Sequence, residues 1–81
     1  MVIKEKIRFC INNWDPIGLM AICPPDEYEP EIRDIYKKFI EQKQDKLLLG
    51  KIIFDIFKYY FGDTFIKSYD ECNKIAALIL Q

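Results

Sequence analysis

The sequence predicts an all-α protein, a compact bundle of four main helices at about 2–13, 30–44, 46–61 and 69–80 with a long ordered loop over 14–29. Three observations predict it. Apolar residues recur at helical spacing on both sides of one central stretch, and no strand pattern of period two competes with them. The helix breakers are concentrated, since Trp14–Pro30 holds all four prolines and the only Trp. The polar runs that separate the apolar stripes carry capping residues.

The 81 residues make one domain, 1–81, of 51% hydrophobic and 31% charged residues, a globular composition. A chain this short buries only roughly 60–65% of its unfolded surface, which leaves little room for a deep cavity. The 12 basic and 13 acidic residues nearly cancel, and no basic block exceeds a pair, so no footprint for nucleic acid or an anionic membrane is present. The charged start, MVIKEKIRFC, lacks the apolar run of a signal peptide, and no segment is long and apolar enough to span a membrane. A cytoplasmic location is expected. Cys10, Cys23 and Cys72 are odd in number and widely spaced, which fits reduced thiols.

In the first helix Ile3, Ile7, Cys10, Ile11 and Trp14 share one face. Val2 and Phe9 fall nearly opposite, either as a second packing contact or as an exposed apolar spot. Asn12-Asn13 favours the helix end, and Asp15-Pro16 reads as an N-cap with proline at the first helical position of a short turn over Pro16–Met20. Pro24-Pro25 forces an extended path, and helix resumes near Pro30.

The second helix carries Ile32, Ile35, Tyr36, Phe39 and Ile40 on one stripe, with Arg33, Asp34, Lys37, Lys38 and Glu41 facing away. Asp34 and Lys38 are spaced for an i,i+4 pair. Asp45 is a good N-cap for the third helix, whose charges Lys51, Asp55 and Lys58 occupy one strip while apolar residues fill the rest. Such a helix is central in its domain or shared with a partner. Gly50 costs it about 1 kcal/mol relative to Ala unless close packing explains it. Gly62 closes it, and Ser68-Tyr-Asp-Glu71 is a capping box for the fourth helix, whose stripe is Tyr69, Cys72, Ile75 or Ala76, Ile79 and Leu80. Phe65 and Ile66 anchor the turn before it. The expected core is Ile7, Ile11, Trp14, Ile35, Phe39, Ile53, Phe57, Cys72 and Ile79.

Little here carries catalytic chemistry. The chain has no His to activate a nucleophile, and Cys10 and Cys72 lie on apolar stripes where burial raises a thiol pKa. Gly18, Gly50 and Gly62 stand alone, so there is no phosphate-cradling loop. Asp15, Asp26, Glu27 and Glu29 lack the alternating register and turn glycine of a calcium loop. Neither a cofactor nor a metal is expected, and the chain is not expected to be an enzyme. Trp14 is expected to seal the core with its indole N–H on a backbone carbonyl.

The block Trp14-Asp15-Pro16-Ile17-Gly18, then Pro25-Asp26-Glu27-Tyr28 and an Ile-x-x-Ile-Tyr helix, resembles a bacterial family of small domains of unknown function, family eighteen-seventy-one. Phe61-Gly62, Glu71-Cys72 and Ile75-Ala76 extend the resemblance over nearly the whole chain. It implies a compact helical protein with no established catalytic residues, and it hints at an accessory or immunity-type partner. The apolar Lys46–Gly50 segment departs from what an exposed helix start would carry.

The function expected is a protein-interaction module, working by self-association as a homodimer or with a protein partner. Its candidate interaction surface is Asp26, Glu27, Tyr28, Glu29, Val2 and Phe9. The alternative is a small-ligand-binding or catalytic domain centred on the Trp14–Pro30 loop.

Overall fold

The computed structural model describes residues 2–21 and 26–81. Within them the chain folds as four helices, α1 (Ile3–Trp14), α2 (Glu29–Glu41), α3 (Leu49–Phe61) and α4 (Tyr69–Ile79), and the described residues contain no strand. Helices α1 and α3 each pack against both α2 and α4, so the four surround one core. The expected Cys23 thiol and Pro24-Pro25 path lie outside the described residues.

The helical stripes are the core. Ile7 and Ile11 of α1, Ile35 and Phe39 of α2, Ile53 and Phe57 of α3, and Cys72 and Ile79 of α4 are all buried. Burial pushes the Cys72 thiol up to about 12, which keeps it protonated and unreactive at neutral pH. Most of the wide apolar face of α3 is consumed in the same way, because α3 has a neighbour on each flank; its outer edge leaves Tyr59 exposed.

The helix ends show where local signals held and where they yielded. Helix α1 runs past Asn12-Asn13 to Trp14 and stops at Asp15, whose φ of 49° is left-handed. Asp15 therefore closes α1 instead of starting a new helix over Pro16–Met20, a stretch that forms only turns. Helix α2 ends at Glu41, short of Gln44, because Lys43 and Gln44 both take positive φ, 58° and 55°. The Gln44 N–H returns to the Phe39 carbonyl and satisfies an orphan acceptor of the helix end. Such a reversal usually announces itself with glycine, and here no glycine marks it.

Asp45 caps as expected, accepting from the Leu47 N–H at 3.0 Å, but it opens a turn of 3-10 helix over Lys46–Leu48 and α3 follows from Leu49. Ser68 accepts from the Glu71 N–H at 3.0 Å, one half of a capping box. Phe65 is buried, whereas Ile66 is exposed and anchors nothing. Asp34 bonds Arg33 and Tyr60 in place of Lys38.

Gly50 has the close packing that its place in a helix calls for. A Cβ there would stand 1.8 Å from Asn73 Oδ1 and 3.1 Å from Asn73 Cα on α4. The side chain of Asn73 can swing outward; its backbone can yield only if α3 and α4 part. Gly50→Ala is therefore expected to destabilise by about 1–2 kcal/mol despite alanine's better helix propensity, and urea denaturation checks the sign.

Glu31 is buried at 3% exposure in the first turn of α2. Burial raises its pKa, so ionisation opposes the fold at neutral pH, and stability from this group increases as pH falls through its raised folded value. Glu31→Gln is expected to stabilise at pH 7 and to lose that advantage near pH 4, as thermal melts at the two pH values would record.

Candidate docking groove

Two constructions meet at the C-terminal end of α1. The first is a clasp within the Trp14–Pro30 stretch. Because Asp15 is left-handed, its carboxylate turns back over the following turn, where Oδ1 accepts from the Leu19 N–H at 2.8 Å and the Met20 N–H at 3.2 Å. The Tyr28 hydroxyl donates to the same oxygen at 2.6 Å and accepts from the Ile17 N–H at 3.1 Å. Burial works to raise the Asp15 pKa, but the bonds from Tyr28, Met20, Leu19 and Gly18 together outweigh it and hold the carboxyl below its usual range. Burial and the Asp15 carboxylate push Tyr28 up to about 12.

Tyr28 is thus no part of an interaction surface. It is 0% exposed, its ring edge-on to Phe57 at 5.9 Å and its hydroxyl spent on the clasp. An aromatic set among acidic neighbours reads as a surface residue in sequence, and the burial of its ring on α3 reverses that.

The acidic residues around it separate. Asp26 and Glu27 are exposed, and the Asp26 carbonyl accepts from the Glu29 N–H. Glu29 forms a fork with Arg8 of α1, Oε2 to Nε at 2.7 Å and Oε1 to Nη2 at 2.9 Å, and Arg8 also bonds Glu5. The Arg8 guanidinium holds the Glu29 carboxyl below its usual range. Glu29 therefore ties the start of α2 to α1.

The second construction is a groove of about 540 Å³ between α1 and α4, lined by Phe9, Cys10, Trp14, Ile75 and Leu78 together with Lys6, Asn13 and Gln81. Trp14 closes one end. Its ring meets Phe57 and Phe65 edge-on at 6.0 and 6.1 Å, and its N–H donates to the Glu71 carboxylate at 2.7 Å. The expected carbonyl partner is replaced by the second half of the capping box, diverted across to α1. Lys6, two helical turns earlier on α1, donates to the main-chain oxygen of Gln81.

Phe9 is 60% exposed and Leu78 48%, so both walls offer apolar surface to solvent. Val2, 68% exposed, lies two helical turns before Phe9 on the same side of α1 and does not line the groove. Cys10 is half-buried in the groove wall, and burial raises its thiol pKa. Among the sequence-expected site residues only Phe9 belongs to this groove. Leu78 carries the same signal as Phe9, an apolar residue off its helix's core stripe. The pairing of the two depends on how α1 and α4 pack.

Among the described residues no group of three or more Cys, Asp or Glu is placed to hold a metal ion, and no helix is long and apolar enough to cross a membrane. The sequence profile of a family described as Domain of unknown function (DUF1871) matches residues 6–81. No curated protein and no solved structure gives a significant match.

Proposed function

We propose that this chain, which belongs to the DUF1871 family, is a protein-interaction module that receives an apolar segment of a protein partner in the groove between α1 and α4. The observation that supports the reading is the alignment of Phe9 and Leu78, both large, apolar and exposed, along the two walls of one concave surface with Trp14 at its end. Exposed aromatics beside an apolar recess are the usual anchors of protein interfaces. The reading assigns no catalytic role to any residue. The Asp15 carboxylate, the most strongly engaged group of the loop, already accepts from Tyr28, Leu19 and Met20.

Phe9→Asp and Leu78→Asp are expected to fold as the parent does, since both side chains are largely exposed, with a change of less than about 1 kcal/mol in urea denaturation. Each should abolish retention of a partner that the parent chain retains from the native cell, read by quantitative mass spectrometry. Equal retention by parent and both variants would sink the reading.

A second reading has one observation in its favour. A recess of about 540 Å³ falls within the range of small-molecule sites, about 300–1,000 Å³. It places a small apolar ligand in this same groove and moves the ligand site from the loop to α1 and α4. Native mass spectrometry of the freshly purified chain distinguishes the two, because only the ligand reading expects a bound mass of a few hundred daltons.

A further inference from the structure

The end wall of the groove is held by a carboxylate that has left its own helix. Glu71 is the third residue of α4, and a complete capping box would return its side chain to the Ser68 N–H. Ser68 makes its half, accepting from the Glu71 N–H at 3.0 Å. Glu71 Oε2 instead accepts from the Trp14 indole N–H at 2.7 Å, across 57 residues of sequence, and faces the Lys67 ammonium at 4.0 Å. Ser68 is exposed, so water can serve its N–H. The indole N–H sits on a half-buried ring, where an unmet donor costs more than an exposed backbone N–H does. That N–H is the only polar group of the ring. The edge-on contacts with Phe57 and Phe65 are apolar and weakly directional, so Glu71 is the one directional anchor of the indole.

Resting on the docking reading of this groove, we infer that Glu71 is its positioning residue: the carboxylate fixes the Trp14 ring as the end wall, and it acts on an occupant only through that ring. Glu71 does not itself line the groove. A positioning role and a capping role entail different losses. If Glu71 served α4 alone, its removal would loosen the first turn of α4 and leave Trp14 in place. If it positions Trp14, its removal frees the ring while α4 keeps the Ser68 cap.

Trp14 is the only tryptophan, so its indole N–H gives a single NMR signal. Solvent exchange of that N–H, referred to the Ile53 amide of the same sample to remove global unfolding, tests the inference on four variants. Glu71→Ala deletes the acceptor, and Glu71→Asp keeps the charge but falls one methylene short of the ring; each should speed indole exchange at least about tenfold, the equivalent of one lost charge-assisted bond. Glu71→Gln keeps an acceptor oxygen at the same reach and should stay within about threefold of the parent. Ser68→Ala should lower the melting temperature and leave the referred indole rate unchanged. An indole rate that rises no more than the Ile53 rate in Glu71→Ala and Glu71→Asp, or that rises equally in Ser68→Ala, overturns the inference. Where Phe9→Asp and Leu78→Asp abolish retention of a partner, Glu71→Ala should reduce that retention at least about threefold and Glu71→Gln should preserve it; full retention by Glu71→Ala also overturns the inference. If no partner depends on Phe9 and Leu78, the docking reading fails by itself, and the exchange rates still decide whether Glu71 holds Trp14.

Discussion

Replacing Phe57 by alanine is expected to destabilise the fold by about 3–5 kcal/mol, a large share of the total stability of a domain this size. Phe57 is 0% exposed and stands at the centre of an aromatic cluster. It stacks on Phe65 at 5.3 Å and on Phe61 at 5.8 Å, and meets Tyr28 and Trp14 edge-on at 5.9 and 6.0 Å. The cavity would open where the loop, α3 and the segment before α4 meet, so none of the three can collapse into it without losing its own contacts. A domain of 81 residues has a total stability of only about 4–12 kcal/mol. Phe57→Leu, which keeps much of the volume, should cost about half as much. Chemical denaturation followed by Trp14 fluorescence measures both, because the indole touches the ring being removed; equal midpoints for Phe57→Ala and the parent would disprove the central place of this ring.

Asp15 carries the second large effect. Asp15→Ala removes the acceptor of the Tyr28 hydroxyl and of the Leu19 and Met20 amides, and it also puts alanine at a φ of 49°. Charge-assisted bonds of this kind and the left-handed backbone together predict a loss of about 2–4 kcal/mol. Asp15→Asn keeps an acceptor oxygen and a residue type that tolerates this conformation, so it should lose about 1 kcal/mol. A double-mutant cycle with Tyr28→Phe should give a coupling of at least about 0.5 kcal/mol. Additive effects would show that the clasp does not act as a unit.

The same carboxylate sets a pH dependence of definite sign. A carboxyl whose folded pKa lies below its unfolded value contributes stability that is complete above the unfolded value, near 4, and lost as pH falls through the folded one. Asp15, Glu29 and Asp34 all have lowered values. The protein should therefore lose stability progressively below pH 4, and Asp15→Asn should lose less over that interval than the parent does. Glu31 opposes this trend at higher pH, since its value is raised.

The proposed docking and the folding of the chain make separable demands on α1. Ile7 and Ile11 are turned inward and fully buried, Arg8 holds the start of α2 through Glu29, and Phe9 is left to solvent. Substitutions at Phe9 or Leu78 should accordingly report on association, and substitutions at Phe57 or Asp15 on stability.

The all-α class, the four helices and most of their buried stripes follow from the sequence alone, because apolar periodicity is a local property and each stripe needs only its own helix to be read. Asp45 and Ser68 were legible as caps for the same reason, each acting within three residues of itself. Tertiary structure decided whatever depends on two segments meeting. It buried Tyr28 among residues that look solvated in sequence, and it drew the Glu71 carboxylate from its own helix cap to Trp14. The end of α2 at Glu41 is a different case, a local reversal through left-handed Lys43 and Gln44 that no glycine announces. The groove belongs to the tertiary class. Phe9 and Leu78 are each visible as apolar residues off their stripes, and only the packing of α1 on α4 brings them to opposite walls of one recess.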